Sequence, residues 1–153
     1  MNAATERFVT AVAPRGLHPE IRFFDETTHT AAQAAAAIGC DVAAIVKSLV
    51  FVADDQPLLV LVSGPRRVDT DALGARLGAT IGKADAAMVK SATGFSIGGV
   101  PPFGHPKPLR TVVDEGLLEL DELWAAAGSA NSVFPITPTR LVELSAAQVL
   151  RVD

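Results

Sequence analysis

The sequence predicts one α/β (α+β) domain over residues 1–153, in which a mixed sheet is surrounded by helices. First, 153 residues, 49% of them apolar, are enough to fill a single hydrophobic core. Second, helical patterns separate some of the predicted strands, whereas a short polar link joins two others as a hairpin. Third, no repeat, low-complexity tract or linker divides the chain. Strands and helices do not alternate regularly, which favours a mixed sheet over a doubly wound one.

The N-terminal half is predicted to form two helices and three strands. Thr30 and Gln33 have capping-box spacing, and Gly39 can end the helix that follows. Residues 58–62 show no polar alternation, which indicates a strand covered on both faces. The expected elements are a helix over 5–12, a strand over 21–24, a helix over 31–38, and a hairpin of strands over 46–53 and 57–63.

The C-terminal half is predicted to alternate helices, strands and one long structured loop. Asp69 or Asp71 caps a helix that Gly78 ends, and Asp85 caps the next. Pro135 cannot donate to a ladder, so its strand is expected at a sheet edge. The expected elements are helices to Leu77 and over 86–90, a loop over 95–108, a strand over 109–114, a helix over 120–127 stopped by Gly128, a strand over 133–136, and a helix from Thr137-Pro138 to Leu144.

Charge and composition limit the classes of function. A net charge of −4 excludes a protein that coats nucleic acid, because such proteins need a basic face. Five cations between Arg66 and Lys90 could still contact a short single-stranded end, although a solvated surface explains them equally well. The lone Cys40 indicates a reducing compartment, and no signal peptide or membrane span is seen. A cytoplasmic protein that makes no membrane contact is expected.

Lys47 is the first residue that suggests chemistry. It lies at the head of Val-Lys-Ser-Leu-Val-Phe-Val, a run otherwise suited to burial. A buried ammonium is costly unless it is paired or reaches water. One interpretation is a strand-end lysine whose amine extends to the surface. The other is a lysine held at a cleft, where it meets a phosphate or polarises a carbonyl.

The second candidate is the loop Ser96-Ile97-Gly98-Gly99-Val100-Pro101-Pro102-Phe103-Gly104. Two glycines allow the backbone to approach a ligand, and two prolines fix the exit of the loop. The amides of Gly98, Gly99 and Val100 are then expected as free donors for an oxyanion or a phosphate. A rigid surface connection is the equally weighted alternative.

No strong protein nucleophile, metal set or cofactor site is expected. Ser96 is not in a G-x-S-x-G elbow, and Cys40 follows a helix-ending glycine beside Asp41, where a buried structural role is expected. His18, His29 and His105 are scattered and are each expected at the surface. An enzyme built from this chain would therefore depend on positioning and charge stabilisation.

Residues 45–51 (Ile-Val-Lys-Ser-Leu-Val-Phe) and 91–104 (Ser-Ala-Thr-Gly-Phe-Ser-Ile-Gly-Gly-Val-Pro-Pro-Phe-Gly) together resemble the YbaK and prolyl-tRNA-editing family. The resemblance covers about residues 20–145, and the order of motifs matches. It implies a compact fold with a mixed, partly barrel-like sheet. It also implies a free-standing deacylase that removes a wrong amino acid from a tRNA, typically that for proline. The expected partners are the CCA end of an aminoacyl-tRNA and a synthetase.

Site residues follow from the resemblance position by position. Lys47 would contact the terminal adenosine phosphate and the substrate backbone, and Gly98 and Gly99 would orient the ester. Family mechanisms use water and the substrate's own ribose hydroxyl, which fits the missing nucleophile. The remaining substrate-binding residues implied are Phe24, Ser48, Thr93, Val100, Pro101, Pro102, Asn131 and Phe134.

The chain departs from the family pattern at three places. It has no tyrosine, Val133 stands where some members have an acidic residue, and Phe134 precedes Pro135 where another branch has a histidine. These departures leave the amino acid removed and the preferred tRNA open. They also leave open a non-catalytic module that holds a tRNA end or docks on a synthetase. A small-molecule ester or amide hydrolase is a third, weaker hypothesis.

Overall fold

The computed structural model describes residues 1–25 and 30–153, and His29 lies outside them. The helices in this part are α1 Ala3–Val12, α2 Ala31–Ile38, α3 Thr70–Leu77, α4 Ala86–Thr93 and α5 Pro138–Ser145. The strands are β1 Arg22–Phe23, β2 Val46–Ala53, β3 Gln56–Ser63, β4 Ile81–Lys83, β5 Arg110–Asp114, β6 Leu123–Ala126, β7 Ser132–Ile136 and β8 Gln148–Leu150. None of these helices is long and apolar enough to cross a membrane.

The strands form two sheets. The larger sheet has the order β4-β2-β3-β5-β8, with antiparallel pairing around β2 and parallel pairing on both sides of β5. The smaller sheet is antiparallel, with the order β1-β7-β6. An isolated bridge between Ile45 and Trp124 joins the two sheets. The predicted mixed α/β fold is confirmed, but the strands form two open sheets and no closed barrel.

The hairpin of β2 and β3 is the centre of the larger sheet. Residues 58–63 are all buried, as the unbroken apolar run predicts. Asp54 and Asp55 form the two-residue turn, and both have positive φ (46° and 71°), as a type I′ turn requires. The first rungs of the hairpin beyond Val46 pair Lys47 with Val62 and Ser48 with Leu61.

One predicted helix is wrong. Residues 120–127, rich in leucine and alanine, were expected to be helical, but Leu123–Ala126 is strand β6. Leu123 and Ala125 are fully buried on one face, and they alternate with the half-buried Trp124 and Ala126. Pairing with β7 and burial of that face therefore outweigh helix propensity, which is only a weak bias.

The strand that contains Pro135 was expected at an edge, but β7 is the middle strand of its sheet. β1 pairs only with Ser132 and Val133, so it ends before Pro135. Along a strand, the backbone N–H and C=O groups of successive residues point alternately to one neighbouring strand and to the other. The nitrogen of Pro135 therefore points away from β6. Its missing N–H therefore breaks no ladder bond. Strands β4 and β8, three residues each, were not predicted.

The main core fixes the glycine–proline loop to α1 and β7. Phe8, Phe103 and Phe134 pack against one another, with ring centroids 5.0 to 6.0 Å apart. Phe95 and Val100 are buried in the same core. Aromatic groups at both ends of the loop thus anchor it, and the backbone between them is presented to the space beside β2.

Candidate functional site

A cavity of about 300 Å³ lies between the start of β2, the glycine–proline loop and the smaller sheet. Four sequence-predicted site residues line it, namely Lys47, Ser48, Gly98 and Val100. The remaining lining residues are Thr30, Ala31, Ala34, Ile45, Val46, Leu49, Ile97, Trp124, Ala126, Ser129, Ala130, Ser132 and Val133. Among all of these, Lys47 is the only one with an ionisable side chain.

Lys47 is a half-buried cation on the wall of this cavity. Its Nζ donates a hydrogen bond to the carbonyl oxygen of Arg66, 2.6 Å away. Burial lowers the pKa of Lys47 below its usual value, and the nearby charge of Arg67 lowers that pKa further. The ammonium is thus bonded to a protein acceptor instead of extending into open solvent.

Ser48 places a hydroxyl beside the same cavity. Its Oγ is buried and has no hydrogen-bond partner among the described residues. Ser48 also borders a smaller cavity of about 200 Å³, which shares Leu49, Ile97 and Val100 with the first. A buried hydroxyl without a partner is costly, so a ligand that bonds to it gains affinity.

The two glycines of the loop differ in environment. Gly98 has φ +87°, and a Cβ there would come no nearer than 3.9 Å to the Cβ of Ala130. A Cβ on Gly99 would be 2.8 Å from the Cα of Ser129, so its backbone packs directly on the Gly128–Ser129 turn. The Gly99 N–H donates to the Ser96 carbonyl (3.0 Å), so it is not one of the free donors expected from the sequence.

The proline end of the glycine–proline loop is held in place by burial and by one hydrogen bond. Val100, Pro101, Pro102 and Phe103 are buried, and the Pro101 carbonyl lies 2.8 Å from Nε2 of His105. Burial lowers the pKa of His105, while the contact with Pro101 acts in the opposite direction. His105, expected at the surface, is half-buried and closes the loop on itself. The amides of Gly98 and Val100 are left without an acceptor in the part of the chain described.

Several of the predicted substrate-binding residues do not line the cavity. Phe134 is fully buried in the aromatic core. Thr93 is also buried, and its Oγ1 donates to the Val89 carbonyl (2.7 Å) and accepts from the Phe95 amide (3.0 Å). These contacts give Phe134 and Thr93 structural roles. Pro101 and Pro102 likewise lie behind the lining.

Phe24 and Asn131 pair with each other and are not among the residues that line the cavity. The Phe24 amide donates to the Asn131 carbonyl (2.8 Å), and Nδ2 of Asn131 reaches the Phe24 carbonyl (3.4 Å). This pairing continues the β1–β7 ladder beside Ala130, a lining residue. The two residues therefore shape the cavity through the backbone they hold.

Sequence reasoning missed a cluster of hydroxyls on the far wall. Ser129 Oγ lies 2.6 Å from Ser132 Oγ and donates to Oδ1 of Asn131 (2.9 Å). Oγ1 of Thr5, from α1, lies 3.2 Å from Ser132 Oγ. The polar Ser129–Ser132 stretch after an alanine run was the available signal. The predicted helix over 120–127 stops at Gly128, and only Asn131 of the stretch that follows was expected at the site.

The arrangement combines one cation, buried hydroxyls and unoccupied backbone donors in a small cavity. Within the described part of the chain, no group of three or more His, Cys, Asp or Glu side chains is arranged to hold a metal ion. Such a site can orient a polar ligand and stabilise negative charge that develops on it. Among the described residues that line the cavity, no histidine or carboxylate accompanies the serine hydroxyls to activate them for nucleophilic attack.

The model of the family described as "Aminoacyl-tRNA editing domain" matches residues 25–144. A Bacillus subtilis (strain 168) protein of uncharacterised function, YwhH, is 31% identical over 131 residues, which cover 85% of this chain and 83% of that protein. A proline–tRNA ligase of Lactobacillus helveticus is 35% identical over 91 residues, 59% of this chain but only 16% of the ligase.

Solved structures agree with these sequence matches. The crystal structure of a candidate trans-editing enzyme for prolyl tRNA synthetase is 40% identical to this chain and has a TM-score of 0.95. The alignment covers 100% of this chain and 98% of that protein. The similarity thus extends through both sheets and the loop between them.

Proposed function

Because this chain belongs to the aminoacyl-tRNA editing domain family, we propose that it hydrolyses the ester of a mischarged aminoacyl-tRNA in trans. The observation that carries the proposal is the cavity in which Lys47, Ser48 and the Gly98 loop meet. The proposal takes residues 1–153 as one editing domain that works in the cytoplasm. Its partner is the CCA end of the tRNA, with a synthetase as a second partner.

The chemistry relies on the reactivity of the substrate. Water adds to the ester carbonyl, the bond from that carbon to the ribose oxygen breaks, and the ribose oxygen leaves as a hydroxyl after it takes up a proton. The ribose hydroxyl next to the ester can orient the water. The protein then needs only to position the ester and stabilise the oxyanion.

Each lining group has a role in this scheme. Lys47 is a positioning cation that offsets negative charge near the ester, and it is not an acid, base or nucleophile. The amides of Gly98 and Val100 are the donors available to the developing oxyanion. Ser48 Oγ can bond to the amino or hydroxyl groups of the substrate, because it has no described protein partner.

The size of the cavity fits a small wrong amino acid. A volume of about 300 Å³ is at the lower end of ligand pockets in proteins. A synthetase rejects a slightly smaller amino acid by only about 10–200-fold, so a second sieve improves accuracy. The proposed substrate is therefore tRNA-Pro, or another tRNA, that carries a small wrong residue.

The direct test is release of amino acid from tRNAs charged with alanine, cysteine, serine or threonine. We expect the wild-type protein to release at least one of them and Lys47→Ala to abolish the release, since the variant removes the cation from the wall. Lys107→Ala is the matched control, because Lys107 is exposed and does not line the cavity. A wild-type protein that leaves the whole panel charged would contradict the proposal.

A non-catalytic module is the second candidate function. It is favoured by the described part of the lining, in which Lys47 is the one ionisable group and Val133 is apolar. Such a module would bind aminoacyl-tRNA through the same cavity and protect the ester. Binding in a filter or titration assay, together with no release of amino acid, would select it.

A further inference from the structure

A charge cluster with one fully buried member, Asp114, lies behind Lys47 and outside the cavity. Arg66, whose carbonyl accepts the hydrogen bond from Lys47, extends its guanidinium to two carboxylates. Its Nη1 lies 3.7 Å from Oδ1 of Asp114 and 3.6 Å from Oδ1 of Asp153. One residue thus connects the cavity cation, through its backbone, to a carboxylate in the interior, through its side chain.

Asp114 is an unusual group to find in the interior. It ends β5 with its side chain fully buried, and neither oxygen meets hydrogen-bond geometry with a described residue, although the Gly116 amide is close enough to lower the pKa of Asp114. Burial raises its pKa, and the charge of Arg66 partly opposes that rise. An under-satisfied buried carboxylate normally destabilises a fold, and an apolar or neutral residue of similar size would remove that cost.

Gly116 packs closely against the guanidinium of Arg66. A Cβ on Gly116 would lie 3.1 Å from both Cζ and Nε of Arg66 and 3.3 Å from Oδ2 of Asp114. Arg66 therefore packs against the backbone of Gly116, and an added methyl group would displace the guanidinium by a few tenths of an ångström. The φ of Gly116 is not in the positive range, so the close approach is what favours glycine here.

The backbone around Arg66 is constrained on the other side as well. Its amide donates to the Ser63 carbonyl (3.0 Å), and the Gly64 amide donates to the Ile45 carbonyl (2.9 Å). The turn after β3 is thus tied to the start of β2, next to Lys47. The guanidinium of Arg66 is held at the end of β5, and its amide is bonded to Ser63. The position of the Arg66 carbonyl is therefore constrained from both the side chain and the backbone.

We infer that Asp114 is a positioning residue of the editing site, which acts through Arg66 to hold the carbonyl that receives the Lys47 ammonium. The inference rests on the proposed function, since positioning matters only if Lys47 works at the ester. Under this inference, the buried carboxylate of Asp114 serves to position the site and not to stabilise the fold. Arg66 and Gly116 complete what we call the Lys47 clamp.

The neighbouring Arg67 differs from Arg66. Arg67 is exposed and has no ion-pair partner within the described residues. Arg66 faces Asp114 and Asp153 at 3.7 and 3.6 Å, so its charge is already partly offset within the protein. The clamp therefore predicts that loss of Arg66 lowers turnover, whereas loss of Arg67 weakens binding of the tRNA.

The first test is Asp114→Asn, which keeps shape and removes charge. We expect kcat for a released amino acid to fall on the order of tenfold to a hundredfold with little change in KM, because a cation displaced by a fraction of an ångström stabilises the transition state less. Stability should not fall, since a buried charge is removed. Asp153→Asn, at the exposed end of the cluster, should lower kcat much less.

The second test is Gly116→Ala, matched by Gly82→Ala. Both substitutions add one methyl group at a glycine without positive φ, but Gly82 has nothing within 4 Å of the added atom. Gly116→Ala displaces the guanidinium and should reproduce the loss of kcat seen in Asp114→Asn. Gly82→Ala should leave kcat unchanged.

A spectroscopic readout separates this inference from the proposed function. The side-chain ammonium of Lys47 gives its own signal in ¹⁵N NMR, which Lys47→Ala identifies. Asp114→Asn and Gly116→Ala should shift that signal or speed its hydrogen exchange, and Gly82→Ala should not. An active wild-type protein whose Asp114→Asn variant keeps its kcat and its Lys47 signal overturns the inference alone. Wild-type protein that is inactive on every tRNA overturns the proposed function, even where the signal moves as expected.

Discussion

The two walls of the cavity are held in place by different forces. The cation wall is Lys47, which Arg66 and Asp114 hold from behind through one short hydrogen bond and an ion pair. The glycine wall is Gly98, which Gly99 and Gly128 support from behind, where backbone packs on backbone. A charge can be weakened by pH or salt, whereas close packing fails when a methyl group is added. The geometry of the site can therefore be disrupted in two independent ways, through charge at one wall and through packing at the other.

The glycine wall is a stack of three chain segments. Gly99 lies on Ser129, and Gly128, with φ +104°, lies against α1, where a Cβ would be 2.7 Å from the Ala4 carbonyl oxygen. The position of the loop is thus set by α1 through the Gly128–Ser129 turn. No ion pair takes part in this stack, so its geometry should be insensitive to salt.

The strongest test of the glycine wall is Gly99→Ala. The added Cβ would be 2.8 Å from the Ser129 Cα and 3.0 Å from the Gly128 oxygen, and neither backbone atom can move away cheaply. Overpacking of this kind costs about 1–3 kcal/mol, so we expect a lower Tm and loss of deacylation. A Tm and an activity equal to those of Gly82→Ala would show that the stack is loose.

A smaller effect is expected at the adjacent Gly98. Its alanine variant meets no atom closer than 3.9 Å, so the cost is the conformational strain of φ +87°, about 1–2 kcal/mol. Turnover should fall while the protein remains folded. Gly78→Ala carries a similar strain (φ +68°) with open space at a residue that does not line the cavity, and should lose the same stability with full turnover. Equal turnover in the two variants would contradict a role for the Gly98 amide.

The smallest effect is expected from Arg67→Gln, which probes the cation wall. Burial and the charge of Arg67 both lower the pKa of Lys47, so removal of that charge raises the pKa. Lys47 is charged below its pKa, and activity should be lost as pH rises through it. The alkaline limb of the rate–pH profile therefore moves to higher pH in Arg67→Gln, and added salt should reduce the difference. An unmoved limb, or one matched by Lys107→Gln, would place Arg67 too far from Lys47.

Much of the fold was predictable because local signals agreed with tertiary packing. The capping box of Thr30 and Gln33 forms as the spacing predicts. The buried strand over 58–62 likewise needs only its own composition to be recognised. The helix predicted over 120–127 failed because its residues favour either element, and the partner strand decided the outcome. Strands of three residues, such as β4 and β8, are too short to show a period.

The site was predictable where chemistry is unusual in sequence, and not where position alone matters. Lys47 in an apolar run and the Gly98 loop stood out, and the family they indicate is confirmed by the family match. Phe134 could be assigned to the core only once the register of β7 was known. Arg66 lies far in the chain from Asp114 and Gly116, and nothing in their local sequence links any of them to Lys47.

The turn of the central hairpin has a consequence for the kinetics of folding. The Asp54–Asp55 turn joins two strands that follow each other closely in the chain, so the loop-closure entropy of β2–β3 is small. The parallel β3–β5 pairing of Leu58 with Arg110 must close a loop of about fifty residues, which is slower. A hairpin that forms pair by pair from this turn reaches the pair of Lys47 and Val62 near the far end of the two strands. We therefore expect nucleation at the end of the sheet remote from the cavity, and the cation wall to be among the last parts of the molecule to form.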